Sequence, residues 1–173
     1  EGVLHIPDGT EKEIVEELIR QLREHGFQDD MEITEEVPVQ QDKLTIAISK
    51  ESLTDTALEN LQKIIVNKQT LFQRAFRTDS TEIKITEEKI SFLWFPYTAD
   101  SDEIAAYTQF ISRLCDMARD AKRVSSKPTE TDNDKYAFRC FLLRLGFIGK
   151  EYKTARKILL RNLTGNSAFR SVK

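Results

Sequence analysis

Five basic side chains near the C-terminal end of the sequence recur at the spacing of an α-helix. They are Lys150, Lys153, Arg156, Lys157 and Arg161. At 3.6 residues per turn, three of the others fall within about 60° of Lys150, so their charges would line one face. Aligned ammonium and guanidinium groups suit contacts with phosphate, and the pattern therefore predicts a nucleic-acid-binding surface. Lys135 and Arg144 are further candidates for phosphate contacts.

The charge of the chain is divided unevenly along its length. Residues 135–173 contain ten basic residues and one acid and carry +9, so the total of −3 leaves −12 for residues 1–134. Two other interpretations of the basic face stay open. It could be a solvated surface balanced by the acids between Asp29 and Glu36, or it could dock an acidic protein partner or a second copy of the chain.

Other motifs in this region fit known chemistry poorly. The run Gly146-Phe-Ile-Gly149 is similar to the GXXG loop with which KH domains clamp a nucleic-acid backbone, but its middle residues are apolar and the order of predicted strands differs. The pair Gly149-Lys150 does not complete a phosphate-binding loop of the Walker type, because Glu151 stands where Ser or Thr is required. We expect no catalytic residues and therefore a protein that is not an enzyme.

The residues that most often bind metals are few and scattered. His5 and His25 lie far from each other and from either cysteine in the sequence, so we expect no metal site and no cofactor. Cys115 and Cys140 fall in apolar helical segments, which favours buried free thiols in a reducing compartment over a disulfide or a metal pair.

The expected location is the cytoplasm, without a membrane partner. No apolar run approaches the roughly 20 residues that span a bilayer. The first fifteen residues also lack the cationic and apolar regions of a secretion signal.

The elements that must position the basic residues begin with an α+β arrangement over residues 1–100. A helix is predicted over residues 11–25 and a strand over Lys43–Ser49, where apolar residues alternate. A second helix follows, and Thr56 with Glu59 would form the capping box at its start. The sheet is predicted to be small and mostly antiparallel.

A hairpin and three helices complete the predicted fold. The hairpin turns around Glu87 and Glu88, and its second strand is apolar on both faces. Residues 101–173 form a helical region that packs with residues 1–100 as one unit. It contains a helix over residues 102–122, a linker over about 123–134, and two helices arranged like a helix-turn-helix, of which the second is basic.

Glycines mark the ends of these last two helices. Gly146 suits the left-handed residue that closes a helix, and Gly149 can open the next one. The basic helix is expected to begin at Lys150 and to end at Gly165, with Ala155 and Leu159 on its apolar side.

The C-terminal run "NDKYAFRCFLLRLGFIGKEYKTARKILLRNLTGNSAFR" resembles the end of an uncharacterised family of Gram-positive (Firmicutes) bacterial proteins. Members of that family are often encoded on phage-like or conjugative elements and are sometimes labelled virulence-related. Looser similarity extends to "KLTIAISKESLTDTALENLQKII" and to "TEEKISFLWFPYT" followed by "FISRLCDMARDAKRV". The clearest matches are at residues 135–138, 142–146, 151–153, 156–157 and 165–169.

The resemblance implies a cytoplasmic protein of a mobile element, and it supplies no catalytic residues. Together with the basic helix, it predicts a non-enzymatic accessory protein that binds nucleic acid. The alternative is a protein–protein interaction module, docking an acidic partner or forming a homodimer, with no role in nucleic-acid binding.

Overall fold

A computed structural model of the chain describes residues 43–168, all of which belong to one compact unit, Val39–Lys173. The helix predicted over residues 11–25 and the acidic segment after it lie outside the described residues. The described part has the predicted α+β class, with a small antiparallel sheet and three helices that follow it. The elements are β1 (Lys43–Ser49), α1 (Asp55–Phe76), β2 (Ile83–Ile85), β3 (Lys89–Pro96), α2 (Ser101–Asp120), α3 (Asp134–Arg144) and α4 (Lys153–Leu160).

Strand β3 is the centre of the sheet, whose strand order is β1-β3-β2 with both pairings antiparallel. Ile46 of β1 and Ile83 of β2 both stand opposite Phe92 in the register. Buried side chains alternate to both faces of β3, so the prediction of a strand that is apolar on both faces is confirmed. Trp94 is 1% exposed, and its indole Nε1 donates to the backbone oxygen of Glu82 at 2.9 Å.

Helix α1 begins earlier than the predicted capping box requires. Its N-cap is Thr54, whose Oγ1 accepts a hydrogen bond from the Ala57 amide at 3.2 Å. The box of Thr56 and Glu59 is therefore wrong, because both residues already lie inside the helix. An N-cap residue has an extended backbone. Thr54 has this conformation, whereas Thr56 is already helical.

A cluster of aromatic rings connects the helices to the sheet. Phe72 of α1 has no exposed surface, and its ring centroid lies 5.8 Å from that of Trp94 and 5.5 Å from that of Phe110 in α2. From α3, Phe141 approaches Phe72 at 5.6 Å and Phe138 at 6.2 Å. The sheet, α1, α2 and α3 thus share one core.

Both cysteines are free thiols. Cys115 is buried in α2, and its burial raises the pKa of the thiol to about 12. Cys140 in α3 is half-buried. A thiol with so high a pKa carries little thiolate near neutral pH, so Cys115 acts as a small apolar side chain of the core.

The turn after α3 follows the predicted pattern. Gly146 has φ +91°, and its amide donates to the oxygen of Leu143 at 3.1 Å. The Phe147 amide reaches back to the oxygen of Leu142 at 3.0 Å, which completes a Schellman motif, and Phe147 is fully buried. The prediction that Gly146 is the left-handed residue closing the helix is confirmed.

We expect Gly146→Ala to lower the free energy of unfolding by about 1–2 kcal/mol, because an L-residue is strained at this backbone angle. A Cβ there would make ordinary van der Waals contact with a guanidinium nitrogen of Arg113 at 3.9 Å, so the cost is one of conformation and not of collision. Gly146→Asn should cost less, since asparagine tolerates the left-handed region better than alanine does. Urea unfolding curves of the two variants measure the difference, and an alanine variant as stable as the parent would contradict this explanation.

Candidate nucleic-acid interface

The basic helix is shorter than its charge pattern predicts. It begins at Lys153 and not at Lys150, and it ends at Leu160, well before Gly165, so both predicted ends are wrong. At its start, the ring of Tyr152 packs against Phe147 with centroids 5.3 Å apart, and the Tyr152 hydroxyl accepts a hydrogen bond from Arg113 at 2.8 Å. These contacts hold Tyr152 at the N-cap, so the residues before it form a turn.

The apolar side of α4 packs as predicted. Ala155 and Leu159 are buried, together with Leu160 and, just beyond the helix, Leu163. Tyr152 is half-buried against the same core. This stripe places the helix against α2 and α3 and turns its opposite side outward.

Arg156 is one of the five predicted contact residues, and its guanidinium is occupied within the protein. Nη1 donates to the backbone oxygens of Phe147 at 2.8 Å and of Gly149 at 3.0 Å. Both carbonyls belong to the connection between α3 and α4. Arg156 therefore holds that connection against the helix and has little freedom to reach a phosphate.

Arg161 is also engaged with the protein. Its guanidinium forms an ion pair with Glu103 of α2 and donates to the Tyr107 hydroxyl at 3.0 Å. The hydrogen bond from Arg161 holds the pKa of the Glu103 carboxyl below its usual range. Burial raises the pKa of Tyr107, so its hydroxyl stays protonated and accepts the hydrogen bond from Arg161.

Lys150, Lys153 and Lys157 form the remaining set, which we call the lysine face. All three are exposed, and none makes an ion pair with a carboxylate in residues 43–168. Glu151 lies within this face, and its carboxylate lies over Gly149, where a Cβ on the glycine would be 2.5 Å from Oε2. The face thus carries three positive charges and one negative charge on exposed side chains.

The two further candidates lie elsewhere. Lys135 is half-buried in the first turn of α3, and Arg144 is exposed at the end of that helix, beside a cavity. The connection between α3 and α4 comprises residues 145–152 and is longer than the three to four residues of a helix-turn-helix. Contacts of the lysine face with phosphate do not depend on that motif.

The chain was compared with protein-family models, with curated proteins and with solved structures, and none of them matches it. Within residues 43–168, no helix has both the length and the apolar character needed to cross a bilayer. Nor does that part of the chain bring three or more His, Cys, Asp or Glu side chains together as a metal site.

The free energy of unfolding should distinguish Arg161, which is bonded within the protein, from Lys157, which is exposed. We expect Arg161→Gln to lower the free energy of unfolding by roughly 1 kcal/mol or less, since the ion pair is partly exposed to solvent. Lys157→Gln, an equal change of charge one helical turn earlier in the chain, should leave the free energy of unfolding within about 0.5 kcal/mol of that of the parent.

The stabilisation of the fold by the ion pair of Arg161 with Glu103 should also depend on pH. Glu103 has a lowered pKa in the folded protein, so it stabilises the fold above its ordinary pKa of about 4.3 and loses that contribution as the pH falls through the lowered value. The difference between parent and Arg161→Gln should shrink in acid. If Arg161→Gln and Lys157→Gln lower the free energy of unfolding equally at pH 7, Arg161 contributes no more to the fold than the exposed Lys157 does, and this prediction is wrong.

Proposed function

We propose that this protein is a non-enzymatic accessory protein of a phage-like or conjugative element that binds the phosphate backbone of nucleic acid through the lysine face. The observation that carries the proposal is the exposure of Lys150, Lys153 and Lys157 without a partner carboxylate among the described residues. The mobile-element setting and the cytoplasmic location are supported by the sequence resemblance.

The start of α4 adds to the attraction for phosphate. No side chain caps the first turn, which contains no acid, and Lys153 is its first residue. The Lys153 amide donates to the Lys150 oxygen at 3.1 Å, and the amides that follow it carry the positive end of the helix dipole, which favours an anion at this position. Lys150 and Lys153 flank this end along the chain, and an approaching phosphate would meet both kinds of positive charge.

The chemistry of the lysine face favours binding that is indifferent to base sequence. Lysine offers a compact ammonium that reaches phosphate as a point charge, whereas the planar fork of a free arginine suits the bidentate reading of a guanine edge. The two arginines of the basic helix, Arg156 and Arg161, are engaged within the protein. Contacts with phosphate alone position a protein without reading sequence.

Three lysines set the expected salt dependence. If each neutralises one phosphate of a duplex, the plot of log K against log salt concentration should have a slope near −2.7. The triple variant Lys150→Glu, Lys153→Glu, Lys157→Glu should lose detectable binding at about 50 mM salt, where such contacts are strong. Fluorescence anisotropy with labelled duplex and single-stranded probes measures both quantities.

A control with the same change of charge is available on the sheet. Lys43→Glu, Lys84→Glu, Lys89→Glu alters three exposed lysines far from α4 in the sequence and should reduce binding much less. Glu151→Gln should tighten binding, because it removes the one negative charge within the lysine face. If the two triple variants lose the same affinity for the probes, binding depends on net charge alone and the proposed site is refuted.

One observation favours the alternative of a protein–protein interaction module. Ile148 is 61% exposed in the turn that leads to Lys150. An exposed aliphatic side chain beside lysines suits a protein partner with an apolar centre and an acidic rim. If the protein binds neither duplex nor single-stranded probes at low salt, this second function becomes the better explanation of the same surface.

A further inference from the structure

A cavity of about 700 Å³ lies between α1, α2, α3 and the segment that joins α2 to α3. Asn67 of α1 holds that segment in place: its backbone oxygen accepts from the Thr129 amide at 3.1 Å, and its side-chain amide donates to the oxygen of Lys127. Thr129 Oγ1 adds a bond to Asn67 Oδ1 at 3.2 Å. The predicted linker is therefore one wall of a pocket, tied to α1 by several hydrogen bonds.

The walls of this cavity carry more positive than negative charge. Four cations line it, and two acids, Asp116 and Asp120, accompany them. Asp116 is already paired with Arg119, which is not part of the lining. No lining cation forms an ion pair with a carboxylate in residues 43–168. The four cations are Lys68, Arg113, Arg123 and Arg144.

Lys68 from α1 and Arg144 from α3 line the same cavity. Burial lowers the pKa of the Lys68 ammonium, and the positive charge of Arg144 lowers it further. Arg113 reaches the same cavity from α2, with its guanidinium held by the Tyr152 hydroxyl at 2.8 Å. Lys68 is half-buried and Arg144 is exposed, and neither has a partner carboxylate in residues 43–168, so an anion bound between them would offset their repulsion.

The cavity also has an apolar wall. Met117 of α2 and Val124 of the segment after it line the cavity and are half-buried, whereas Phe141, Leu145 and Ile64 lie beneath them and are almost completely buried. A pocket that combines apolar surface with a few converging polar groups is typical of small-molecule sites, which commonly enclose about 300–1,000 Å³. This one has room for more than an inorganic ion.

We infer that this cavity binds a small organic phosphate, with the phosphate group between Lys68 and Arg144 and the carbon skeleton against Met117 and Val124. A phosphate or diphosphate group matches a site with several cations better than a carboxylate does, because its charge of about −2 engages two of them at once. None of these residues belongs to the lysine face.

Calorimetric titration of the full chain tests this assignment, with ADP, pyrophosphate and adenosine as probes at about 50 mM salt. We expect ADP to bind with one-to-one stoichiometry and more tightly than pyrophosphate, since only ADP can use the apolar wall. Adenosine, which lacks phosphate, should not bind detectably. Pyrophosphate binding as tight as ADP would refute a role for the apolar wall, and no binding of either phosphate would overturn the inference.

Variants locate the binding. Lys68→Gln and Arg144→Gln should each weaken ADP binding about tenfold or more, the usual loss for a hydrogen bond between charged groups. Lys63→Gln is the matched control on α1, because Lys63 is exposed and pairs with Glu59 outside the cavity. Lys153→Gln is the control on the lysine face. If Lys153→Gln weakens ADP binding as much as Lys68→Gln does, the cavity is not the site.

Thermal melting of the protein without ligand gives an independent readout. Lys68→Gln removes the partly buried ammonium beside Arg144, so it should melt at the same or a higher temperature than the parent while losing ADP binding. A clear drop in melting temperature would show that Lys68 supports the fold and would overturn its role as a ligand-binding group. Arg144→Lys, which keeps the charge, should retain part of the affinity.

Phosphate could also come from nucleic acid, and competition distinguishes the two sources. An unlabelled duplex should leave the affinity for ADP unchanged, because the cavity is built for a small molecule and the lysine face lies outside its lining. Displacement of ADP by duplex in the parent, and in the triple lysine variant as well, would mean that the cavity receives a nucleic-acid backbone and would refute the small-molecule assignment.

Discussion

The ring of Phe72 is the contact on which the rest of the described structure depends. It is fully buried in α1 and meets aromatic rings from β3, α2 and α3. Aromatic pairs at these separations contribute beyond the area they bury, and each of them here joins elements that are distant in the sequence. Because α2 and α3 meet at this ring, it fixes two walls of the charged cavity. It also fixes the surface against which α4 packs.

The basic side chains of the C-terminal region divide by chemical type. The arginines of the basic helix point into hydrogen bonds with carbonyls, a carboxylate and a hydroxyl, and the lysines extend into solvent. A planar guanidinium with several donors can satisfy two acceptors at once, whereas an ammonium is strongly hydrated and gains less from being held. The basic residues in and beside α4 therefore fall into two sets. Arg156 and Arg161 are bonded within the protein, and Lys150, Lys153 and Lys157 are exposed without a partner carboxylate in residues 43–168.

Local signals in the sequence were enough to predict the hairpin, the central strand and the glycine that closes α3. The apolar run of β3 and the glycine after a helix need few distant contacts to determine their structure. The start of α4 could not be predicted in this way, because it depends on Tyr152 meeting Arg113, which is distant in the sequence. The pairing of Arg161 with Glu103 depends on a similarly distant contact. The cavity escaped prediction for the same reason, since Lys68 and Arg144 come from different helices and share no periodic pattern.

The position of Trp94 has a consequence for spectroscopy. The chain contains one tryptophan, and its indole is enclosed by phenylalanine rings and bonded to the backbone at Glu82. The intrinsic tryptophan fluorescence therefore comes from the buried sheet, and its emission maximum should lie at short wavelength in the folded protein. Trp94 lines neither the cavity nor the lysine face, so a ligand at either place would leave its surroundings dry. A red shift would then signal water entering the core, which makes this indole a built-in reporter of global opening.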